Sequence, residues 1–217
     1  KEAEFVESVC REWNIPFILK EVDVQSAVRN GGSIETAARD LRYKALREAA
    51  RGGGYAKIAV AHHGDDQAET VLYHLLRGSG VTGLSGMKPI NGDIIRPFLC
   101  VSKNEIKDFL KDFSYVPCHD ESNDVEDAVR NRIRLSLVPE LISYNPRVTE
   151  SLRRTADIFR EEDLFMEEKA DVFISSCVEH DNDKCVFFIA YFLVLHIALQ
   201  RRVIRKICCM VAGRLPS

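Results

Sequence analysis

Ten residues, Ala61 to Thr70, hold two imidazoles, three carboxylates and a hydroxyl: His62, His63, Asp65, Asp66, Glu69 and Thr70. They follow an apolar run, Ile58-Ala59-Val60-Ala61, that reads as a buried strand. In open α/β sheets ligands bind at the carboxyl ends of strands, so polar groups this dense at a strand-to-helix switch point to a site. His62, Asp66 and Glu69 step by four and three. Once a helix has begun, that spacing puts Asp66 and Glu69 on one face, with His62 on the incoming strand end. Three chemistries fit. One is a metal site of imidazole and carboxylate ligands. Another is capture of a cationic substrate such as an amine by Asp66 and Glu69. The third is acid–base chemistry by His62 or His63, whose ordinary pKa of about 6.5 suits it. The structural alternative is that the carboxylates only cap the helix, where they complement its dipole.

A second group of residues is basic. Arg130, Arg132 and Arg134 fall within five residues, Arg153, Arg154 and Arg160 follow, and Arg201, Arg202, Arg205 and Lys206 cluster near the end. A solvated helix face would account for any one of these. Together they suggest a surface for phosphates, the dominant source of nucleic-acid affinity. No RNA-binding module is recognisable. A third feature is the stretch Gly78 to Gly86, with four glycines in nine residues. It is either a flexible connector or a loop whose backbone approaches a ligand, with Gly78 and Gly80 as the phosphate candidates.

The elements needed to position these residues can be read in order. Residues 2 to 13 have helical apolar spacing, and Phe17 to Val24 alternates partly and predicts a strand. Asn30-Gly31-Gly32 predicts a turn and Ser33 a helix cap, with the helix running to about Ala50 and carrying Arg39, Arg42 and Lys44. After the strand ending at Ala61, a helix is predicted from near Asp65 to Arg77, closed by Gly78. Ile94 to Leu99 predicts a short strand, and Ser102 with Glu105 a capping box. Tyr115 to Asp124 reads as extended and polar. One long helix is predicted from 147 to about 180, and Val186 to Leu199 as a buried strand passing into a helix. The alternation predicts an α/β fold with a parallel, Rossmann-like sheet, followed by a mainly helical C-terminal domain. The boundary is placed near Asn145, giving domains 1–145 and 146–217. Because the pattern opens on a helix and not a strand, the first strand is expected to lie upstream of residue 1.

Composition sets wider limits. The 217 residues are 46% hydrophobic and 29% charged, with a net charge of −3, the profile of a globular protein. Seven cysteines, without a Cys-x-x-Cys pair, argue for reduced thiols and a cytoplasmic location. The longest apolar run is interrupted by His196 and is shorter than a membrane span needs.

Several segments, in order, resemble the tRNA(Ile)-lysidine synthetases, a family of PP-loop ATP pyrophosphatases. They are Glu35-Thr36-Ala37-Ala38-Arg39-Asp40-Leu41-Arg42-Tyr43, Ala61 to Leu72, Leu76-Arg77-Gly78-Ser79-Gly80 and Gly83-Leu84-Ser85-Gly86-Met87. Ile95-Arg96-Pro97-Phe98-Leu99, Asp120-Glu121-Ser122-Asn123 and Arg130-Asn131-Arg132-Ile133-Arg134 continue the series. The resemblance implies ATP-dependent joining of lysine to C2 of the wobble cytidine of tRNA(Ile) with a CAU anticodon, through an adenylated tRNA. It implies ATP and Mg²⁺, with tRNA and lysine as partners, no membrane, and a homodimer as a further expectation. His62, Asp66, Glu69 and Arg42 are then expected to be catalytic, with Asp66 and Glu69 holding lysine. Arg42, Gly78, Gly80, Arg132 and Arg134 are expected at ATP phosphates, and Arg130, Arg153, Arg154, Arg201, Arg202 and Arg205 on tRNA. No resident metal site is expected. The family's Ser-Gly-Gly-x-Asp-Ser motif does not occur in these residues, so the chain is expected to be incomplete in front, and at its end, and inactive in adenylation alone. The alternatives are a non-catalytic tRNA-binding remnant and a metal-dependent hydrolase built on His62, Asp66 and Glu69.

Overall fold

The computed structural model of the chain describes residues 2–24, 34–113, 129–181 and 184–212. Its elements are α1 (Glu2–Glu12), α2 (Ile34–Gly52), β1 (Ile58–Ala59), α3 (Gly64–Leu76) and α4 (Val81–Leu84). Then come β2 (Ile90–Asn91), β3 (Ile94–Ile95), a 3₁₀ turn (Pro97–Cys100) and α5 (Lys103–Leu110). A helical stretch follows: α6 (Val129–Arg132), a π turn (Ile133–Leu137) and α7 (Val138–Tyr144). The chain continues through α8 (Val148–Cys177), β4 (Val178–Asp181), β5 (Lys184–Phe187), α9 (Ile189–Leu193) and α10 (Ile197–Ala212). Two compact units divide it, residues 1–66 with 88–131, and residues 67–87 with 132–217. The turn at 30–32, the Ser33 cap and the polar stretch 115–124 lie outside the described residues.

In the first unit a three-stranded sheet has the order β1-β3-β2. β1 and β3 run parallel with Ile58 opposite Ile94, and β2 and β3 are antiparallel with Ile90 opposite Ile95. Ile58, Ile94 and Leu99 are buried. The sheet is smaller than expected, and the chain is mostly helical. Residues 15–23 form no strand. A strand exists only by pairing, Pro16 lacks a donor, and Ile18, Leu19 and Val22 remain exposed at 54%, 59% and 43%. The strand expected at 94–99 is cut to two residues because Pro97 opens the 3₁₀ turn. The capping box forms as expected, with Ser102 Oγ accepting from Glu105 N and the Glu105 carboxylate from Ser102 N.

The second unit is built on α8. α4, α7 and α10 pack on it, and β4 pairs antiparallel with β5. Its core joins Ala170 and Phe173 of α8 to Val203 and Ile207 of α10, with Phe187 and Phe192 against them. The Phe187 and Phe192 rings lie 5.3 Å apart between centroids. The run from Val186 is a strand and then helices, as expected, but it is not buried. Val186, Phe188, Ile189 and Leu193 are each more than half exposed. Among the described residues no helix is long and apolar enough to cross a membrane.

Candidate functional site

In the first unit β1 delivers the chain to His62, and α3 begins two residues later. Three bonds fix that start. Gly64 N donates to Val101 O at 2.7 Å, Lys103 N to an Asp65 carboxylate oxygen at 2.7 Å, and His63 N to Asp66 Oδ2 at 2.9 Å. Asp65 thereby ties α3 to the start of α5, and Asp66, three residues into the helix, reaches back to the His63 N–H as the N3 half of a capping box. The carboxylates do cap the helix, yet Asp66 keeps a side chain 20% exposed. The His63 ring lies 3.5 Å from Asp66 and 3.6 Å from Asp65.

His62 is partly buried, and its Nδ1 has no hydrogen-bond partner among the described residues. Burial lowers its pKa, Asp66 opposes this, and Arg96, Arg39 and Arg42 push it further down. His62 is therefore neutral near pH 7 and can accept a proton. Since folding lowers the value, its contribution to stability is present above the ordinary histidine range and is lost as pH falls through the folded pKa. The His62 ring proton is expected to titrate in NMR below about 6.5; a midpoint at or above that would contradict the placement. Arg42 is exposed on α2, and Arg96 is 7% exposed with Nη1 donating to Lys88 O at 2.7 Å.

In the second unit Glu69 is buried and bidentate. Arg134 Nε and Nη2 reach its two oxygens at 2.7 and 2.9 Å, with side-chain exposures of 6% for Glu69 and 30% for Arg134. Arg134 sits in the π turn, an irregularity common at functional sites. The glycine-rich stretch is held firmly and is no slack connector. Gln67, 2% exposed, donates to Met87 O at 3.2 Å and accepts from Met87 N at 2.7 Å. Gly86 has φ +64°, and a Cβ there would lie 2.7 Å from the Gln67 amide. Gly78 closes α3 with φ +72°.

The arginines divide into two kinds. Arg202 Nη1 donates to Asp163 at 2.6 Å and Glu167 at 2.5 Å, with its side chain 11% exposed. Arg201 and Arg205 are exposed and line a cavity of about 830 Å³ with Ser79, Gly80 and Thr82. Arg132 and Arg154 are exposed, while Arg130 and Arg153 are partly buried. Among the described residues no three His, Cys, Asp or Glu side chains are arranged to hold a metal ion.

A family model described as PP-loop domain matches residues 1–141. The chain belongs to the PP-loop domain family. Curated relatives resemble this PP-loop chain along its length. A protein named tRNA(Ile)-lysidine synthase from Caldanaerobacter subterraneus subsp. tengcongensis is 38% identical over 98% of the chain and 46% of its own length. One of the same name from a Thermotoga species is 35% identical over 100% and 52%, and one from Petrotoga mobilis 42% over 73% and 52%. The chain thus spans about half the length of these relatives. Among solved structures, a U34-tRNA thiolase from Methanococcus maripaludis with its [4Fe-4S] cluster has a TM-score of 0.56 at 15% identity, covering 74% of this chain and 57% of that one. At that identity the likeness is one of fold.

Within the PP-loop chain, Gln67, Asp163 and Arg96 carry the local geometry without having stood out as candidates in the sequence, and Arg160 stood out only as one of the basic group. Gln67 and Arg160 anchor the glycine-rich stretch through Met87 O, Arg160 Nη2 at 3.3 Å. Asp163 joins Thr82 to Arg202, and Arg96 sits beside His62. Gln67 had a signal: an amide on the apolar side of a helix opposite a glycine turn. Asp163 had none, because its partners lie far away in sequence.

Proposed function

We propose that this chain is part of a tRNA(Ile)-lysidine synthetase acting in the cytoplasm. The C2 oxygen of the wobble cytidine in a tRNA(Ile) with a CAU anticodon attacks the α-phosphate of ATP, so that a P–O bond forms and pyrophosphate leaves. The lysine ε-amine then attacks C2; a C–N bond forms, the C–O bond to AMP breaks, and the amine loses a proton. The single observation that carries this reading is the likeness to curated lysidine synthases along 98% of the chain. The residues suit the chemistry. Neutral His62 can take the proton or orient the reacting group, and Arg39, Arg42 and Arg96 concentrate positive charge where an adenylyl transfer develops negative charge.

Asp66 is assigned the lysine amine. Both Glu69 oxygens are engaged by Arg134, so Glu69 is assigned a role through that guanidinium, which it orients for phosphate. Arg132 joins it at phosphate, with Gly78 and Gly80 in the glycine-rich stretch. Arg130, Arg153, Arg154, Arg201 and Arg205 are assigned to tRNA, and Arg202 to holding α10 on α8. Mg²⁺ suits this donor set as an ion carried in on ATP phosphates with one or two carboxylates, not as one caged by protein. A homodimer belongs to the same proposal.

Loss of one charge-assisted hydrogen bond of roughly 1.5–3 kcal/mol is a factor of about 10 to 100. Asp66→Asn is accordingly expected to raise the KM for lysine by that factor and leave the KM for ATP within twofold. Steady-state kinetics in the gene product carrying these residues reads both. An unchanged lysine KM would remove Asp66 from the amine.

A further inference from the structure

The outward face of α2 is a ladder of cations of which the assignments above use only the His62 end, Arg39, and leave Lys44, Arg47 and Arg51 without a role. Arg39, Tyr43, Arg47 and Arg51 recur at every fourth residue, one row along the helix. From Arg39 to Arg51 that row is about 18 Å long at roughly 1.5 Å per residue. With Lys44, Asn91, Ile94 and Arg96 these residues line a shallow cavity of about 510 Å³.

The charge there is lopsided. Asp40 is the one carboxylate among the residues lining the cavity, against Arg39, Lys44, Arg47, Arg51 and Arg96. Asp93 neutralises Arg47 through two hydrogen bonds of 2.7 and 3.2 Å. The rest stand in a chain whose net charge is −3. Lys44 and Arg51 stay exposed on the same helix with only Asp40 as a carboxylate in the lining. The guanidinium carbons of Arg39, Arg42 and Arg47 are 5.0, 5.7 and 5.9 Å from the Tyr43 ring centroid, which gathers them around one aromatic ring.

Two buried donors in this lining lack any acceptor among the described residues, Tyr43 Oη and Arg96 Nε. Arg96 is more than nine-tenths buried. Those two atoms are shielded from solvent, so the cavity presents its exposed cations, and their excess over carboxylates is completed by an acceptor-rich anion. The row also has a direction. Arg39 and Arg96, at one end, are close enough to His62 to act on its charge, whereas Arg51 lies at the far end of α2. A single phosphate would fill only a fraction of that length; a polyanion threaded away from His62 would fill it.

We infer that the α2 ladder of Arg39, Tyr43, Lys44, Arg47 and Arg51, with Arg96 at its inner end, is a phosphodiester track that carries the RNA backbone away from the His62 end of the site. The inference rests on the tRNA reading above and adds a second RNA-binding surface, on the first unit, to the arginines assigned on the other elements.

The test is equilibrium binding of a tRNA(Ile) transcript to the gene product carrying these residues across a salt series. Lys44→Ala with Arg51→Ala removes two exposed cations from the track and leaves the Arg47–Asp93 pair intact. Lys107→Ala with Lys111→Ala removes the same charge from α5 and from the residue that caps it. The track variant should bind roughly tenfold more weakly at about 0.1 M salt, with a log–log salt slope shallower by roughly 1.5, as expected for two lost phosphate contacts. Each single variant should carry about half the slope change, and thermal melting should not move. The α5 variant should keep the wild-type slope. Equal slopes for track variant and wild type, or equal changes in track and α5 variants, would overturn the track while leaving the tRNA reading in place. A wild-type chain that binds no tRNA transcript would overturn both.

Discussion

Asp163→Ala is expected to destabilise the second unit by about 3–5 kcal/mol, the range for removing one partner of a buried ion pair. Asp163 is 3% exposed on α8 and accepts from Thr82 Oγ1 at 2.7 Å and Arg202 Nη1 at 2.6 Å. Three elements, α4, α8 and α10, meet at that one carboxylate. Without it the Arg202 guanidinium keeps Glu167 but loses its more buried partner, and the Thr82 hydroxyl loses its acceptor. Urea denaturation monitored by circular dichroism measures the loss. Asp163→Asn keeps an acceptor for Thr82 and should fall between wild type and alanine. Replacing both members, Asp163→Leu with Arg202→Met, should recover much of the stability, because an apolar pair avoids the desolvation of an orphaned charge. A corollary concerns RNA binding. Arg202→Ala should weaken it by disturbing the fold, whereas Arg201→Ala with Arg205→Ala should weaken it with melting unchanged.

Glu69→Ala carries the second large effect, about 3 kcal/mol by the same reasoning, since the glutamate side chain is 6% exposed and gives both oxygens to Arg134. A double-mutant cycle with Arg134→Met separates stability from chemistry. The pair should show coupling of roughly 1–3 kcal/mol in urea melts. If Glu69 acts through Arg134, then Glu69→Gln and Arg134→Met should lower turnover by similar factors and the double variant should add little. Strictly additive losses, with Glu69→Gln acting on lysine KM alone, would return Glu69 to direct contact with the amine.

Much of this architecture could be read from local sequence. α3 and its cluster, the capping box at Ser102 and Glu105, the Gly78 stop and the long α8 all depend on neighbours within a few residues. Periodicity and capping chemistry capture such features. The strand at Phe17–Val24 could not be settled that way, because alternation proposes a strand and only a partner makes one. The roles of the arginines were the least legible. Arg201, Arg202 and Arg205 look alike in sequence, yet one step around α10 turns Arg202 inward to Asp163 and leaves the other two exposed. Glu69 and Asp66 likewise share a helix and a residue class. Only the guanidinium arriving from residue 134 distinguishes a buried structural carboxylate from an accessible one.

The central claim is that these residues serve lysine transfer to a wobble cytidine. The direct measurement is nucleoside mass analysis of a tRNA(Ile) transcript with a CAU anticodon, treated with ATP, Mg²⁺, isotopically labelled lysine and the gene product carrying these residues. The account predicts labelled lysidine at the wobble position, one AMP released per lysine incorporated, and loss of the product with Asp66→Asn at low lysine. AMP release with an unmodified wobble cytidine, or sulfur in place of lysine when a sulfur donor is supplied, would contradict it.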